Sequence, residues 1–221
     1  MKKLIVLILS AIYLFNCKSV KESELQGTWI GAYTFSSKQH SLQLPVRDII
    51  NFNNNDFTLR GFWVDGSNNL IGEYNPLTKV ITTNEINEYP FKDIIAQISQ
   101  DSIVIETELD NKEFGLKRVY KKLNDSLKYK QKVALTGKRF LIKSETYNDT
   151  ILFKSDSLYE ISSSELPNLY QNWERVEFNG FDIIFLSHDI PYIIKGEKNG
   201  VINLTCYFKK KYELQFIELG R

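Results

Sequence analysis

The sequence predicts an all-β protein made of two consecutive small antiparallel β-barrels or meanders, which follow an N-terminal signal peptide. Short runs rich in β-branched and aromatic residues succeed one another along most of the chain, with turn residues between them. Several of these runs alternate between apolar and polar residues, as strands with one buried face do. The helical segments of about 10–15 residues that separate the strands of a βαβ fold do not occur between them.

The N-terminal residues predict export from the cytoplasm. Residues 1–3 are Met-Lys-Lys, and residues 4–15 are apolar except for Ser10. This apolar run is shorter than the roughly 18–20 residues with which a helix crosses a bilayer, so it fits the core of a secretory signal peptide. We therefore assign residues 1–16 to the signal peptide.

A cysteine, Cys17, follows the apolar run directly. The segment Leu14–Cys17 reads Leu-Phe-Asn-Cys, which resembles the lipobox of bacterial lipoproteins of the Bacteroidetes type. The resemblance implies that Cys17 becomes the first residue of the mature chain and carries the lipid. Residues 17–24 are polar and mixed in charge, and are expected to form a tether. The alternative is a free or buried thiol beside an ordinary cleavage site.

The charge of the chain limits the possible partners. Residues 1–16 hold two of the 28 lysines and arginines and none of the 27 acids, so the mature chain has a net charge of about −1. A near-neutral chain offers no basic surface to nucleic acid. It has no polybasic segment to support the anchor either, so the acyl chains alone would attach it. The expected location is the cell envelope, on the inner or the outer membrane.

The first β domain is predicted over residues 25–123. Phe57 and Leu59 alternate with Thr58 and Arg60, which is typical of a strand with one wet face. Turn residues rich in Asn, Asp and Gly separate the runs. The predicted strands span residues 27–35, 46–52, 56–64, 69–74, 79–83, 91–99, 102–109 and 113–122.

A lysine-rich segment, residues 124–134, interrupts the strand pattern. It has helix-capping residues at its start and no alternation, which indicates a short helix or linker. The strand pattern begins again at Leu135, and residues 135–221 form the second, divergent β domain.

The second domain resembles a copy of the first. Three pairs of segments match in the same order: Leu25–Gly27 with Leu135–Gly137, Ile50–Phe52 with Ile151–Phe153, and Phe114–Val119 with Tyr212–Ile217. A constant order with shorter loops in the second copy is expected of an internal duplication. The alternative is chance similarity between two antiparallel meanders.

The first strand carries a Gly-x-Trp motif, Gly27-Thr28-Trp29. Its position soon after the mature N-terminus, ahead of antiparallel strands, resembles that in lipocalin and lipocalin-like barrels. The resemblance implies that this strand closes the barrel floor and that the barrel holds a small apolar ligand. In the second domain Gly137 has no matching tryptophan, and an aromatic residue, Phe140, stands one place later.

Four aromatic residues on alternating strand faces are candidates for the ligand wall: Tyr33, Phe57, Trp63 and Tyr74. The alternative is core packing, because barrels of small circumference fill their own interior. Alternation predicts that Trp29, Gly31 and Tyr33 share the inward face, with Gly31 leaving room for a neighbouring aromatic ring.

The sequence predicts no enzyme, metal site or cofactor. No nucleophile, phosphate-binding or dinucleotide-binding motif occurs, and His40 and His188 lie in predicted turns without spaced ligand partners. Residues 65–69 with Glu73 lack the spacing of a calcium loop. Cys206, on an alternating strand face, is expected to be a small apolar filler.

Two classes of function remain open. The first is a lipid-anchored module that binds a small apolar molecule inside a barrel, which a cavity of ~300 Å³ or more would favour. The second is an interaction or protective lipoprotein, such as an immunity-like or assembly factor, that acts on another envelope protein through its edges and loops. Filled barrels and an apolar surface patch would favour this second class.

Overall fold

The computed structural model describes residues 22–36, 43–61, 69–83, 92–108, 115–129, 131–145, 148–162, 171–187 and 190–220. Within them the chain folds into two consecutive closed antiparallel barrels of eight strands each, which confirms the predicted all-β class. The signal peptide, Cys17, His40, Trp63, residues 65–68 and His188 lie outside the described residues. No helix among the described residues is long and apolar enough to cross a membrane.

Barrel 1 is preceded by a short helix, α1 (Glu22–Leu25). Its strands are β1 (Gly27–Ser36), β2 (Asp48–Asn53), β3 (Asp56–Gly61), β4 (Asn69–Asn75), β5 (Val80–Thr83), β6 (Lys92–Ile98), β7 (Ser102–Glu108) and β8 (Leu116–Lys122). The barrel closes because β1 pairs with both β2 and β8. We call the end at which β1 begins the floor and the end at which β1 finishes the mouth.

Barrel 2 follows after a joint that contains one turn of 3-10 helix, η1 (Asp125–Leu127), capped by the side chain of Asn124. Its strands are β9 (Arg139–Lys143), β10 (Asn148–Phe153), β11 (Leu158–Ile161), β12 (Gln171–Phe178), β13 (Phe181–Leu186), β14 (Tyr192–Lys198), β15 (Val201–Tyr207) and β16 (Lys211–Leu219). This barrel closes because β9 pairs with both β10 and β16. Its floor is the end at which β9 begins, and its mouth is the end at which β9 finishes.

The two barrels share an irregularity as well as their strand order. The register between β6 and β7 shifts between Ile95 and Gln97, and the register between β14 and β15 shifts between Ile194 and Gly196. A β-bulge is a specific local feature that is retained within families, so its recurrence at the same strand pair fits an internal duplication.

The strand registers correct the sequence alignment of the two copies. Trp29 lies opposite Ile50, and Phe140 lies opposite Ile151, so Phe140 occupies the position of Trp29. The pairing of Gly27 with Gly137 was therefore wrong by one residue. Two residues further along, Gly31 and Ile142 are equivalent as well. Gly31 lies opposite Tyr120 and Ile142 lies opposite Phe216, so Tyr120 corresponds to Phe216.

The floor of barrel 1 is closed around Trp29. The Trp29 side chain is fully buried, and its Nε1 donates a hydrogen bond to the carbonyl oxygen of Leu25 at 2.7 Å. The Lys122 ammonium lies 4.9 Å from the centre of the Trp29 ring and donates to the carbonyl oxygen of Glu24 at 2.9 Å. These contacts hold α1 across the floor.

The prediction that Tyr33 shares the inward face with Trp29 was wrong. The register between β1 and β8 shifts between Gly31 and Tyr33, and the extra residue reverses the alternation. The Tyr33 ring instead packs edge-on against Phe208 of barrel 2, with ring centres 5.6 Å apart. Gly31 does leave room, but the room is taken by Val46, because a Cβ on Gly31 would lie 2.5 Å from the Val46 side chain.

A third buried cluster joins the outer faces of the two barrels. All six residues of β13 are buried: Ile184 and Leu186 face the interior of barrel 2, whereas Ile183 and its neighbours at alternate positions face barrel 1. The cluster comprises Ile30, Ile49, Leu123, Leu127, Val176, Phe178, Phe181, Ile183, Phe185 and Ile193.

Polar contacts flank this interface and fix how the barrels lie. At the floor end, Asn179 Nδ2 donates to Thr28 Oγ1 at 2.8 Å, and at the mouth end the Arg47 guanidinium donates to the carbonyl oxygen of Ser187. Between them, Arg60 pairs with Glu174. The barrels therefore lie side by side with both floors at the same end.

Candidate functional site

Two of the predicted wall residues, Phe57 and Tyr74, meet in the core of barrel 1. They are 2% and 4% exposed, and both rings contact Phe52, with centres 5.9 and 6.2 Å away. Gly72 makes room for Phe57, since a Cβ there would lie 2.5 Å from its ring. The structure places Tyr33 outside this core, and Trp63 lies beyond the described residues. The two central aromatics are thus packed as core side chains.

Between this apolar core and the mouth, barrel 1 carries charged side chains that point inward. Asp48 stands two residues before Ile50, and Arg118 stands two residues before Tyr120, so alternation directs both into the barrel. We use the name polar layer for five residues contributed by β2, β6, β7 and β8: Asp48, Asp93, Thr107, Arg118 and Tyr120.

The polar layer is connected through Arg118. Its Nη2 lies 2.5 Å from Asp93 Oδ2, and its Nη1 lies 3.9 Å from Asp48 Oδ2. Thr107 Oγ1 donates to Asp93 Oδ1 at 2.7 Å, and Tyr120 Oη donates to Asp48 Oδ2 at 3.3 Å. One guanidinium therefore links two carboxylates from opposite sides of the barrel mouth.

The surroundings of Asp48 disfavour its charge. Burial raises the pKa of Asp48 to about 6, against the lowering effects of Arg118 and of the hydrogen bond from Tyr120. Burial also raises the pKa of Tyr120 well above its ordinary value, so this hydroxyl stays neutral and donates. Burial acts to lower the pKa of Arg118, but its interactions with Tyr120, Asp93 and Asp48 raise it overall, and the guanidinium stays charged.

Two atoms of the polar layer have unused hydrogen-bonding capacity. Asp48 Oδ1, an acceptor, and Arg118 Nε, a donor, are buried and make no hydrogen bond to any described residue. Buried polar atoms are nearly always paired, because leaving one unpaired costs about 1–3 kcal/mol. The polar layer therefore contains one buried acceptor and one buried donor that have no partner among the described residues.

Barrel 2 provides an internal comparison, because its registers identify the equivalent positions. The equivalents of Asp48, Asp93, Thr107, Arg118 and Tyr120 are Asp149, Tyr192, Cys206, Leu214 and Phe216. Four of these five belong to the buried apolar core of barrel 2, including Cys206, which is a small apolar filler as expected. Asp149 Oδ1 accepts hydrogen bonds from Thr150 N at 2.6 Å and from Ser162 Oγ. The charged network is thus specific to barrel 1.

Sequence reasoning missed the polar layer, although a signal was present. Asp48, Asp93 and Arg118 each stand two residues from a large apolar residue on the same strand, in the inward phase. A charged residue in that phase is rare unless it is paired, so three of them on three strands would have indicated an internal polar site.

Two open grooves lie elsewhere among the described residues. One, of about 500 Å³, runs beside the joint between Lys128 and Arg175, whose guanidinium is already held by Asp182 and by the carbonyl oxygen of Val133. The other, of about 380 Å³, lies along β6 between Ile95 and Ser99. In the part of the chain that the structure describes, no group of three or more His, Cys, Asp or Glu residues could hold a metal ion.

The fold and the polar layer define a protein of two packed eight-stranded barrels, one of which has a charged interior near its mouth. A comparison with models of known protein families gives no match, and a comparison with curated proteins gives none either.

Proposed function

We propose that the protein is a lipid-anchored, non-enzymatic binding protein of the cell envelope, and that barrel 1 takes up a small, largely apolar molecule. The observation that carries the proposal is the difference between the barrels at one structural layer. Barrel 1 has a charged network with a free acceptor and a free donor there, whereas barrel 2 has Tyr192, Cys206 and Leu214.

Stability alone does not account for this difference. A buried ion pair is often no better for stability than apolar side chains of similar volume, because removing charges from water is costly. Barrel 2 closes the same strand arrangement with Leu214 where barrel 1 has Arg118, so the fold itself does not need the charge. A binding role explains why barrel 1 has a polar layer.

The proposed anchor gives the binding end a direction. Cys17 precedes Glu22 by five residues, which span at most about 18 Å when extended. Because α1 lies across the floor of barrel 1, lipid at Cys17 would hold this floor near the membrane. The polar layer then lies towards the far end, and the floor of barrel 2 faces the membrane as well, because both floors lie at the same end.

A second candidate function is favoured by the packing of the barrel interiors. Trp29, Phe57 and Tyr120 in barrel 1, and Phe153 and Phe216 in barrel 2, are fully buried and fill space that a ligand would need deeper in the barrels. Under this alternative the protein is an interaction or protective lipoprotein that acts on another envelope protein.

Native mass spectrometry of the protein purified from its own host separates the two functions. A bound small molecule that is lost in Arg118→Leu, the residue type of barrel 2 at that position, is the result we expect. The matched control is Lys117→Leu on the same strand, whose side chain pairs with Glu106 and lies outside the polar layer. A co-purifying protein without a small molecule, or a small molecule retained equally by Arg118→Leu, contradicts the proposal.

A further inference from the structure

We propose that the polar layer recognises a hydroxyl group on an otherwise apolar molecule, which donates a hydrogen bond to Asp48 Oδ1 and accepts one from Arg118 Nε. The inference rests on the proposed function, since it names the chemical class of the ligand for the same site. It makes the ligand an alcohol rather than an acid or an amine.

The two unpaired atoms select the hydroxyl group by their opposite hydrogen-bonding roles. Asp48 Oδ1 can only accept when the carboxylate is ionised, and Arg118 Nε can only donate. A hydroxyl group both donates and accepts, so a single group of this kind has the capacity that the two atoms require. An ammonium group would leave Arg118 Nε without an acceptor, and a carboxylate would leave Asp48 Oδ1 without a donor.

The charge of the polar layer supports the same selection. Asp48 and Asp93 provide two carboxylates against the one guanidinium of Arg118, so a further anion would be repelled. A cation that approached Asp48 would lie beside the guanidinium, whose Nη1 is already 3.9 Å from Asp48 Oδ2. A neutral group avoids both repulsions.

The apolar part of the ligand follows from the residues next to the polar layer. Among the described residues, the inward neighbours of Asp48, Asp93 and Thr107 along the chain are aliphatic: Val46, Ile50, Ile95 and Ile105. An alcohol with a hydrocarbon body therefore meets apolar side chains beside its hydroxyl group, whereas a sugar would bring further hydroxyl groups that these residues cannot satisfy.

The test compares three ten-carbon probes that differ only in their end group: 1-decanol, decanoate and decylamine. Binding is measured by isothermal titration calorimetry at neutral pH with residues 18–221, which include every strand of both barrels. We expect 1-decanol to bind at least about tenfold more tightly than the other two, because each of these leaves a buried group unpaired.

Three variants locate the site. Asp48→Asn removes the charged acceptor, and Arg118→Lys keeps a positive charge near Asp93 but has no Nε hydrogen, so each should reduce the preference for 1-decanol by about tenfold or more. Asp149→Asn makes the same change at the equivalent position of barrel 2 and should leave the preference unchanged. Circular dichroism spectra establish that each variant is folded.

The outcomes separate this inference from the proposed function. If decanoate or decylamine binds as tightly as 1-decanol, the hydroxyl assignment is overturned while barrel 1 remains a binding site for apolar molecules. Equal 1-decanol binding by the wild type, Asp48→Asn and Arg118→Lys overturns it as well. If no probe binds, the inference is overturned as well. The proposed function then depends on the mass-spectrometric result alone.

Discussion

Asp48→Asn should stabilise the protein at neutral pH, although it removes one partner of a buried ion pair. Asp48 is 8% exposed, and burial raises its pKa from 3.8 to about 6. Between these two values the folded protein holds a proton that the unfolded chain has lost, so stability falls as the pH rises from about 4 to about 6. Above pH 6 the Asp48 side chain is ionised in the folded and the unfolded state. The cost of burying its charge then lowers the free energy of unfolding by a constant amount.

The size of this effect follows from the pKa difference. A difference of about 2 pKa units corresponds to about 3 kcal/mol, because each unit is worth about 1.4 kcal/mol. Asparagine resembles the protonated acid in shape and is neutral at every pH. The free energy of unfolding of Asp48→Asn should therefore exceed that of the wild type by about 2–3 kcal/mol at pH 8 and be similar to it near pH 4.

Urea unfolding of the wild type and the variant between pH 4 and pH 8 tests this expectation. The difference between the two curves isolates Asp48, because the remaining titratable groups are common to both proteins. Coincident transitions by tryptophan fluorescence and circular dichroism establish that the two-state treatment holds. A variant that is less stable than the wild type at pH 8 would refute the argument, since the pair with Arg118 would then outweigh the cost of burial.

Three further substitutions test the anchor, the floor and the interface. Cys17→Ser should abolish metabolic labelling by a fatty-acid probe, which intact-mass analysis detects. A variant that is unlabelled yet still cleaved at the usual place and found with membranes contradicts the lipid anchor. Trp29→Ala should lower the free energy of unfolding by about 3–5 kcal/mol, and an unchanged urea midpoint would show that Trp29 does not close the floor. Ile183→Asp should place a charge between the barrels and lower the urea midpoint. The control Leu77→Asp, at a residue that is 93% exposed, should leave the midpoint unchanged. Equal effects of the two substitutions would contradict the buried interface.

The alternation of residues was sufficient to predict the barrels and part of their interiors. Trp29, Phe57 and Tyr74 lie inside barrel 1 because each stands in the apolar phase of its strand. Alternation failed at Tyr33, because a bulge in β1 adds one residue directly after Gly31. A glycine inside a strand often marks a bulge, but the prediction took Gly31 only as room for a neighbouring ring. A pattern of period two carries no information about where the register shifts, so such an error cannot be avoided from the pattern alone.

The interface between the barrels left a signal of a different kind. β13 is apolar at five of its six positions. A strand that is covered on both faces has such a continuous apolar run, whereas a strand with one wet face alternates. This apolar run indicates that both faces of β13 are covered, but it does not identify the residues that cover the outer face. The partner residues, Ile30 and Ile49, each stand singly on the outer face of a strand in barrel 1, and a single exposed apolar residue is unremarkable in a sequence.

The polar layer and the interface meet on one strand, β2. Alternation places Asp48 in the interior of barrel 1 and the next residue, Ile49, in the cluster against barrel 2. Arg47, one residue earlier, is tied to Ser187 of barrel 2. Barrel 2 therefore fixes the backbone that positions Asp48 opposite Arg118. Under the proposed binding role, barrel 2 supports the strand that carries Asp48, and barrel 1 provides the charges that a bound molecule would meet.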